Sequence, residues 1–224
     1  MACFTRMDIM YYLNLCMRHI SGASEQLYAN LLTILHYLAV TSTRKLTYGC
    51  NANDKIKRVI IDNCDSIRLD IFDEADPITM VDTGDGPKPM QCAYITIYGS
   101  IVAARNNRLK LTTMSQCESE YFGATTGATM LQALAPILDF INVKYKLPMV
   151  IFCDNKAACM LSDNNTSSRR MKHVARRIAY LQDLVSKKKV CLVHIRTEGN
   201  LADIGTKALP ARTFHQLTSH IWEP

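Results

Sequence analysis

The sequence predicts an α/β fold, a mixed sheet with helices on its faces, preceded by a small helical segment. Three observations predict it. Short strand-like segments cluster between residues 59 and 114, and helix, strand, helix, strand and helix patterns then follow in turn. Met149 to Cys153 is apolar throughout, as in a strand buried on both faces. The 224 residues suffice for one large domain, alone or with a small appendage. At 48% hydrophobic and 21% charged, the composition is ordinary for a folded protein. No apolar run reaches the roughly 20 residues of a membrane helix. The first twenty residues are interrupted by Arg6 and Asp8 and lack a signal-peptide layout, so a secreted or membrane protein is not expected.

Taken in order, residues 8 to 40 read as two helices. Leu27, Leu31, Leu35 and Leu38 form a stripe at helical spacing in the second, with Ser24 as its N-cap. Polar turn residues from Gly49 to Asp54 predict a boundary, and Val59 to Ile61 and Ile67 to Phe72 predict short strands. Asp82 to Pro89 is turn chemistry. Ala93 to Tyr98 and Leu109 to Met114 read as strands, with a third short one near Ile101. Ser115 and Glu118 make a capping box that opens a helix toward Tyr145, which Pro136 should kink or interrupt. After Met149 to Cys153 comes a short helix from Lys156. A periodic helix then carries Met171, Val174, Ile178, Leu181 and Val185. Val190 to Ile195 is another strand, and a last helical region begins near Asn200.

Nine cysteines without a CxxC pair read as free thiols in a reducing compartment rather than a disulfide framework or a zinc site. The net charge of +6 is segregated. Between residues 62 and 85, eight acidic side chains face only Arg68. Basic clusters follow at Arg105, Arg108 and Lys110, at Arg169, Arg170, Lys172, Arg176 and Arg177, and at Lys187 to Lys189. Such clusters suit either a solvated helix face or a phosphate backbone.

Four carboxylates stand where element ends present functional groups. Asp82 ends the apolar run Ile78 to Val81, Glu120 lies early in the long helix, Asp154 closes the buried strand, and Asp203 begins the last helical region. Taken singly, Asp154 also suits an N-cap and Asp203 a helix-dipole residue. Taken together, with no Cys/His set beside them, they suit a hard oxygen-ligand site for Mg²⁺ or Mn²⁺.

From Ser115 onward, four stretches then stand out together: Ser115-Gln-Cys-Glu-Ser-Glu-Tyr121, Phe152-Cys-Asp-Asn-Lys-Ala-Ala158, Lys172-His173 and Ala202-Asp-Ile-Gly-Thr-Lys-Ala-Leu-Pro210. In order and spacing they resemble the ribonuclease H domain of Ty1/copia-type retrotransposon polyproteins. Thr5 to Asn14, with Leu31 to Leu38, resembles the helical segment after the polymerase palm of these elements. Cys117, Gly205 and Ala208 depart from the family pattern, and no Tyr-x-Asp-Asp polymerase motif is present. The expectation is therefore a piece of a polyprotein or a free-standing descendant that does not polymerise by itself. Residues 1–48 would be the helical segment, 49–76 an acidic linker or inserted strands, and 77–224 the ribonuclease H-like domain.

The resemblance implies endonucleolytic hydrolysis of the RNA strand of RNA–DNA hybrids with two Mg²⁺ ions, Mn²⁺ substituting. Glu120, Asp154 and Asp203 would be the second, third and fourth ligands. Asp82 would be the first, with Glu74 or Asp73 in a rival register. Asp82 and Asp154 would flank the metals, Glu120 would ligate one, and Asp203 would hold the second. Contacts to nucleic acid would come from Arg105, Arg169, Arg170, Lys172, His173, Arg176, Arg177 and Lys207. The implied partners are the hybrid and a reverse transcriptase polymerase domain, in the cytoplasm, in virus-like particles or with access to the nucleus. A rival of another class is a catalytically inactive ribonuclease H-like module used for nucleic-acid binding or docking. A third reading keeps the metals but assigns DNA strand transfer or junction cleavage.

Overall fold

The computed structural model describes residues 6–46, 50–64, 75–163 and 175–222. Arg6 is followed by a 3-10 turn, Met7–Ile9, and helices α1 (Met10–Met17), α2 (Glu25–Val40) and α3 (Cys50–Asn63). Strands β1 (Ile78–Thr83), β2 (Met90–Ile97) and β3 (Ser100–Arg108) come next, then α4 (Gln116–Phe140), β4 (Met149–Cys153), α5 (Lys156–Asp163), α6 (Ala175–Ser186) and β5 (Val190–His194). Two 3-10 turns, Thr197–Gly199 and Leu201–Gly205, lead into α7 (Ala211–Ser219). The sheet order is β3-β2-β1-β4-β5, with β1–β2 and β2–β3 antiparallel and β1–β4 and β4–β5 parallel. This is the expected mixed sheet with helices on both faces.

Alternation along the strands divides the core. Val81, Ala93, Ile95 and Ile151 face α4 and α6, packing on Phe122, Ala124, Ala128 and Leu181. Met80, Tyr94 and Phe152 face the other way, onto Met7, Met10, Ile56, Ile60, Ile204 and Trp222. The N-terminal elements thus share a hydrophobic core with the sheet. On the first face, Gly127 lets α4 lie close against β1, since a Cβ there would stand 2.7 Å from Val81 Cγ1.

Several local readings are borne out. Ser24 Oγ accepts from the Leu27 amide at 3.1 Å. Ser115 Oγ accepts from the Glu118 amide at 3.2 Å, while the Glu118 carboxylate of the predicted box accepts from the Met114 amide, one residue before the N-cap, at 2.9 Å.

Others are corrected. The region from Cys50 to Asn63 is helix, not a polar boundary followed by a strand at Val59 to Ile61. Ile56, Val59 and Ile60 recur at helical spacing and are all buried. Leu109 to Met114 is not a strand: β3 lies earlier, paired to β2 through a two-residue turn in which Tyr98 and Gly99 both have positive φ, 51° and 71°. The ladder stops at Met90–Arg108 because Pro87 and Pro89 have no amide to donate. Their carbonyls instead accept from Thr113 and Leu109. Helix α4 runs through Pro136 uninterrupted. The leucine stripe of α2 is largely solvent-facing: Leu27 is buried but Leu35 is 60% exposed. The predicted strand Ile67 to Phe72, and Met171 and Val174 of the periodic helix, lie outside the described residues.

Candidate active site

Parallel pairing of β1 with β4 puts their carboxyl ends side by side, with Val81 opposite Cys153, so Asp82 and Asp154 become neighbours. Carboxyl ends of parallel strands are where ligands gather in open α/β sheets. Asn200 then brings in the third group. Its side chain is fully buried, donates to the Val81 carbonyl at 2.9 Å and accepts from the Ala202 amide at 3.2 Å, capping the turn that carries Asp203. As a result Asp82, Asp154 and Asp203 each offer an oxygen, all within 4.8 Å of one another. Glu120 approaches from the first turns of α4 and groups with Asp154 and the Cys153 thiol within the same limit.

The residues around the cluster hold its orientation. Gln116 donates from one nitrogen to both the Thr83 carbonyl, at 2.7 Å, and Glu120 Oε1, at 2.8 Å. Thr197 donates to Asp154 Oδ2 at 3.0 Å. Thr206 donates a hydrogen bond to Asp82 Oδ2. Lys207 places its ammonium 2.8 Å from Asp203 Oδ2 and 4.0 Å from Asp82 Oδ2.

Crowding so many carboxylates into a buried site penalises their ionised forms. Burial, then Asp82 and Asp154, push the Glu120 carboxyl up to about 10. Burial, then Asp82, push Asp203 up to about 8, against the hydrogen bond and charge of Lys207. Asp154 is raised by burial and by Asp82. Burial lowers the Lys207 ammonium, but Asp82, Asp203 and Asp154 outweigh it and leave its pKa raised.

This donor set fits a divalent cation. Its carboxylate oxygens are hard ligands, and Asp203 Oδ1 is buried with no hydrogen-bond partner, a loss that a coordinating ion would repair. The four sequence-predicted carboxylates thus lie in two overlapping groups that share Asp154. Asp73 and Glu74 lie outside the described residues.

The predicted nucleic-acid contacts divide. Arg105 and Arg177, distant in sequence, line one cavity of about 370 Å³ together with Lys110, Gln91 and Thr126. The Arg177 guanidinium lies over the Phe122 ring, 4.4 Å from its centroid. Arg176 is exposed on α6, and Lys207 belongs to the carboxylate cluster. Arg169, Arg170, Lys172 and His173 lie outside the described residues. Sequence reasoning did not single out Gln116, Asn200 or Thr197. The first two sit within or beside the recognised motifs, and that adjacency was the available signal.

No protein-family model matches the chain. It is related in sequence to the retrovirus-related Pol polyprotein from transposon RE1 of Arabidopsis thaliana, with 26% identity over 220 residues, 97% of this chain. The Transposon Ty1-NL2 Gag-Pol polyprotein of Saccharomyces cerevisiae is 21% identical over 218 residues, 96% of this chain. The chain spans 14% and 12% of the lengths of these two relatives. It is thus a relative of Ty1/copia-type Pol polyproteins along nearly its whole length. Similar solved structures include LC11-RNase H1 in complex with RNA/DNA hybrid (TM-score 0.41, 18% identity, 58% of this chain and 94% of that one). RNase H1 from the halophilic archaeon Halobacterium salinarum is another (TM-score 0.44, 15% identity, 58% and 94%).

Proposed function

We propose that this chain is a metal-dependent endoribonuclease of ribonuclease H type, which hydrolyses the RNA strand of RNA–DNA hybrids during reverse transcription. The observation that carries the reading is the convergence of Asp82, Asp154 and Asp203, with Glu120 beside them, in a relative of retrotransposon Pol polyproteins. Asp82, Asp154 and Asp203 would hold divalent ions, Mg²⁺ first, and Glu120 would complete the set. Ions bound there supply Lewis-acid stabilisation of the negative charge that develops on the attacking and departing oxygens of phosphodiester hydrolysis.

The chain's own residues prepare the site. Gln116 aims Glu120 and Thr197 aims Asp154, while Asn200 locks the Asp203 turn onto β1. Choice of RNA over DNA would rest on the 2′-hydroxyl and the shape of the minor groove. Arg105, Lys110 and Arg177 would meet the phosphate backbone, and a polymerase domain of the same polyprotein would be the partner, in the cytoplasm or in virus-like particles. Among the described residues, no helix is long and apolar enough to cross a membrane.

The test is a hybrid labelled on each strand, incubated with the protein in Mg²⁺, in Mn²⁺ and in EDTA, beside a DNA duplex of the same sequence. Loss of the RNA strand alone, only with metal, supports the reading. Binding without cleavage in either metal would replace it with a non-catalytic binding module, and cleavage of the duplex would point to strand-transfer or junction chemistry. For the cavity, Arg177→Ala should weaken hybrid binding several-fold and reduce the slope of log affinity against log salt by about 0.9, one phosphate contact. An unchanged salt slope in a fluorescence-anisotropy titration would remove Arg177 from the interface.

A further inference from the structure

Lys207 stands in an unusual place for an ammonium: between two carboxylates of a cluster built to hold cations. Its Nζ is 2.8 Å from Asp203 Oδ2 and 4.0 Å from Asp82 Oδ2. Both carboxylate side chains are 3% exposed, whereas that of Lys207 is 37% exposed, so its stem reaches the cluster from the solvent side. Local sequence dictates the arrangement. Lys207 follows Asp203 by four residues across the end of a helical turn, the spacing at which a lysine and an acid meet. The preceding residue, Thr206, donates to Asp82 Oδ2. The consecutive pair Thr206-Lys207 therefore grips both carboxylates, from positions 124 and 4 residues away from Asp82 and Asp203 respectively.

We propose that Lys207 is a built-in counter-ion of the carboxylate cluster, holding Asp82 and Asp203 together in the cation-free protein and competing with the divalent ion for them. The competition follows from charge. Asp203 Oδ2 cannot give its full basicity to an ammonium and to a divalent ion at once. A positive charge kept within about 4 Å of both carboxylates also repels an arriving cation. Because the lysine stem is long, flexible and partly exposed, the ammonium can turn out to water when the ion takes its place. Lys207 is thus a positioning residue that sets the concentration of metal the site requires. This inference rests on the reading of the cluster as a divalent-ion site.

Manganese binding to the full chain tests it, read by electron paramagnetic resonance of free Mn²⁺ at low ionic strength, with no substrate present. Lys207→Met should bind Mn²⁺ about tenfold more tightly than the unsubstituted protein. Lys207→Arg, which keeps the charge, should bind close to the unsubstituted level. In EDTA, Lys207→Met should also melt at a lower temperature than the unsubstituted chain, because Asp82 and Asp203 lose their cation. A residue that merely supported the turn would lower the melting temperature without tightening Mn²⁺. Equal or weaker Mn²⁺ binding by Lys207→Met, while the unsubstituted protein binds Mn²⁺ and Asp154→Asn weakens it, would overturn the counter-ion role alone. Absence of Mn²⁺ binding in every form would overturn the metal site as well.

Discussion

Asp154→Asn and Asp82→Asn are each expected to lower hybrid cleavage in Mg²⁺ at least about 1,000-fold, a barrier increase of about 4 kcal/mol. Both side chains belong to the three-carboxylate group whose oxygens lie within 4.8 Å of one another, so either amide would remove a charged ligand from the proposed metal site. The Asp82 substitution has a second expected effect that separates lost chemistry from lost structure. Asp82 raises the pKa of Glu120, Asp154 and Asp203 through its charge. Neutralising it relieves that repulsion, so Asp82→Asn should unfold at a temperature no lower than the unsubstituted protein in EDTA at pH 8. Quenched single-turnover cleavage and a thermal melt on the same preparations measure the two effects. Glu74→Gln, at the rival first position, should cleave at the unsubstituted rate. If instead Glu74→Gln is inactive and Asp82→Asn active, the first ligand has been misplaced.

The parts of this site that were legible in the sequence are those whose chemistry is local. Asp154 could be read because a charge ending the apolar run Met149–Cys153 is costly without a purpose. Glu120 and Asp203 followed from the resemblance of their motifs to the ribonuclease H family, and Asp82 from an aspartate at the end of an apolar strand. The residues that aim these carboxylates were not legible, because their partners are remote. Asn200 hydrogen-bonds a carbonyl 119 positions away, and Gln116 one 33 positions away. Likewise Arg105 and Arg177 read as separate clusters until the fold gave them a common cavity.

Fold errors have the same origin. The pattern at Leu109 to Met114 was strand-like, but the ladder ended where Pro87 and Pro89 removed the partner amides, a fact about the neighbouring strand. Val59 to Ile61 is β-branched and apolar, but Ile56, Val59 and Ile60 are one face of a helix whose polar residues hide its period. In α2 the reverse occurred. The leucine stripe was correctly helical, but spacing could not say what would cover it.

In EDTA the protein is expected to lose stability as the pH rises from 5 to 8, the opposite of what carboxylates with depressed pKa values would do. Glu120 and Asp203 are buried, 1% and 2% exposed, and are held up to about 10 and about 8. In the unfolded chain such groups titrate near ~4. A carboxyl with the higher pKa in the folded state binds its proton more tightly there. Its contribution is therefore complete below ~4 and is lost as the pH climbs to about 8 for Asp203 and about 10 for Glu120. Between pH 5 and 8 both groups lose this contribution progressively, so the melting temperature in EDTA should fall by several degrees. A divalent ion bound to the ionised, folded cluster would take over the proton's task. Millimolar Mg²⁺ should then restore most of the loss at pH 8 and little at pH 5. Asp203→Asn identifies the source, because a neutral amide has no proton to lose: the pH slope in EDTA should flatten and the Mg²⁺ rescue should shrink. Calorimetric melts across this range, with and without Mg²⁺, measure all three effects. A melting temperature that rises from pH 5 to 8 in EDTA and is indifferent to Asp203→Asn would mean that the carboxylates are ionised and paired in the folded protein. Lys207 and the hydrogen bonds around the cluster would then outweigh the repulsion among its carboxylates.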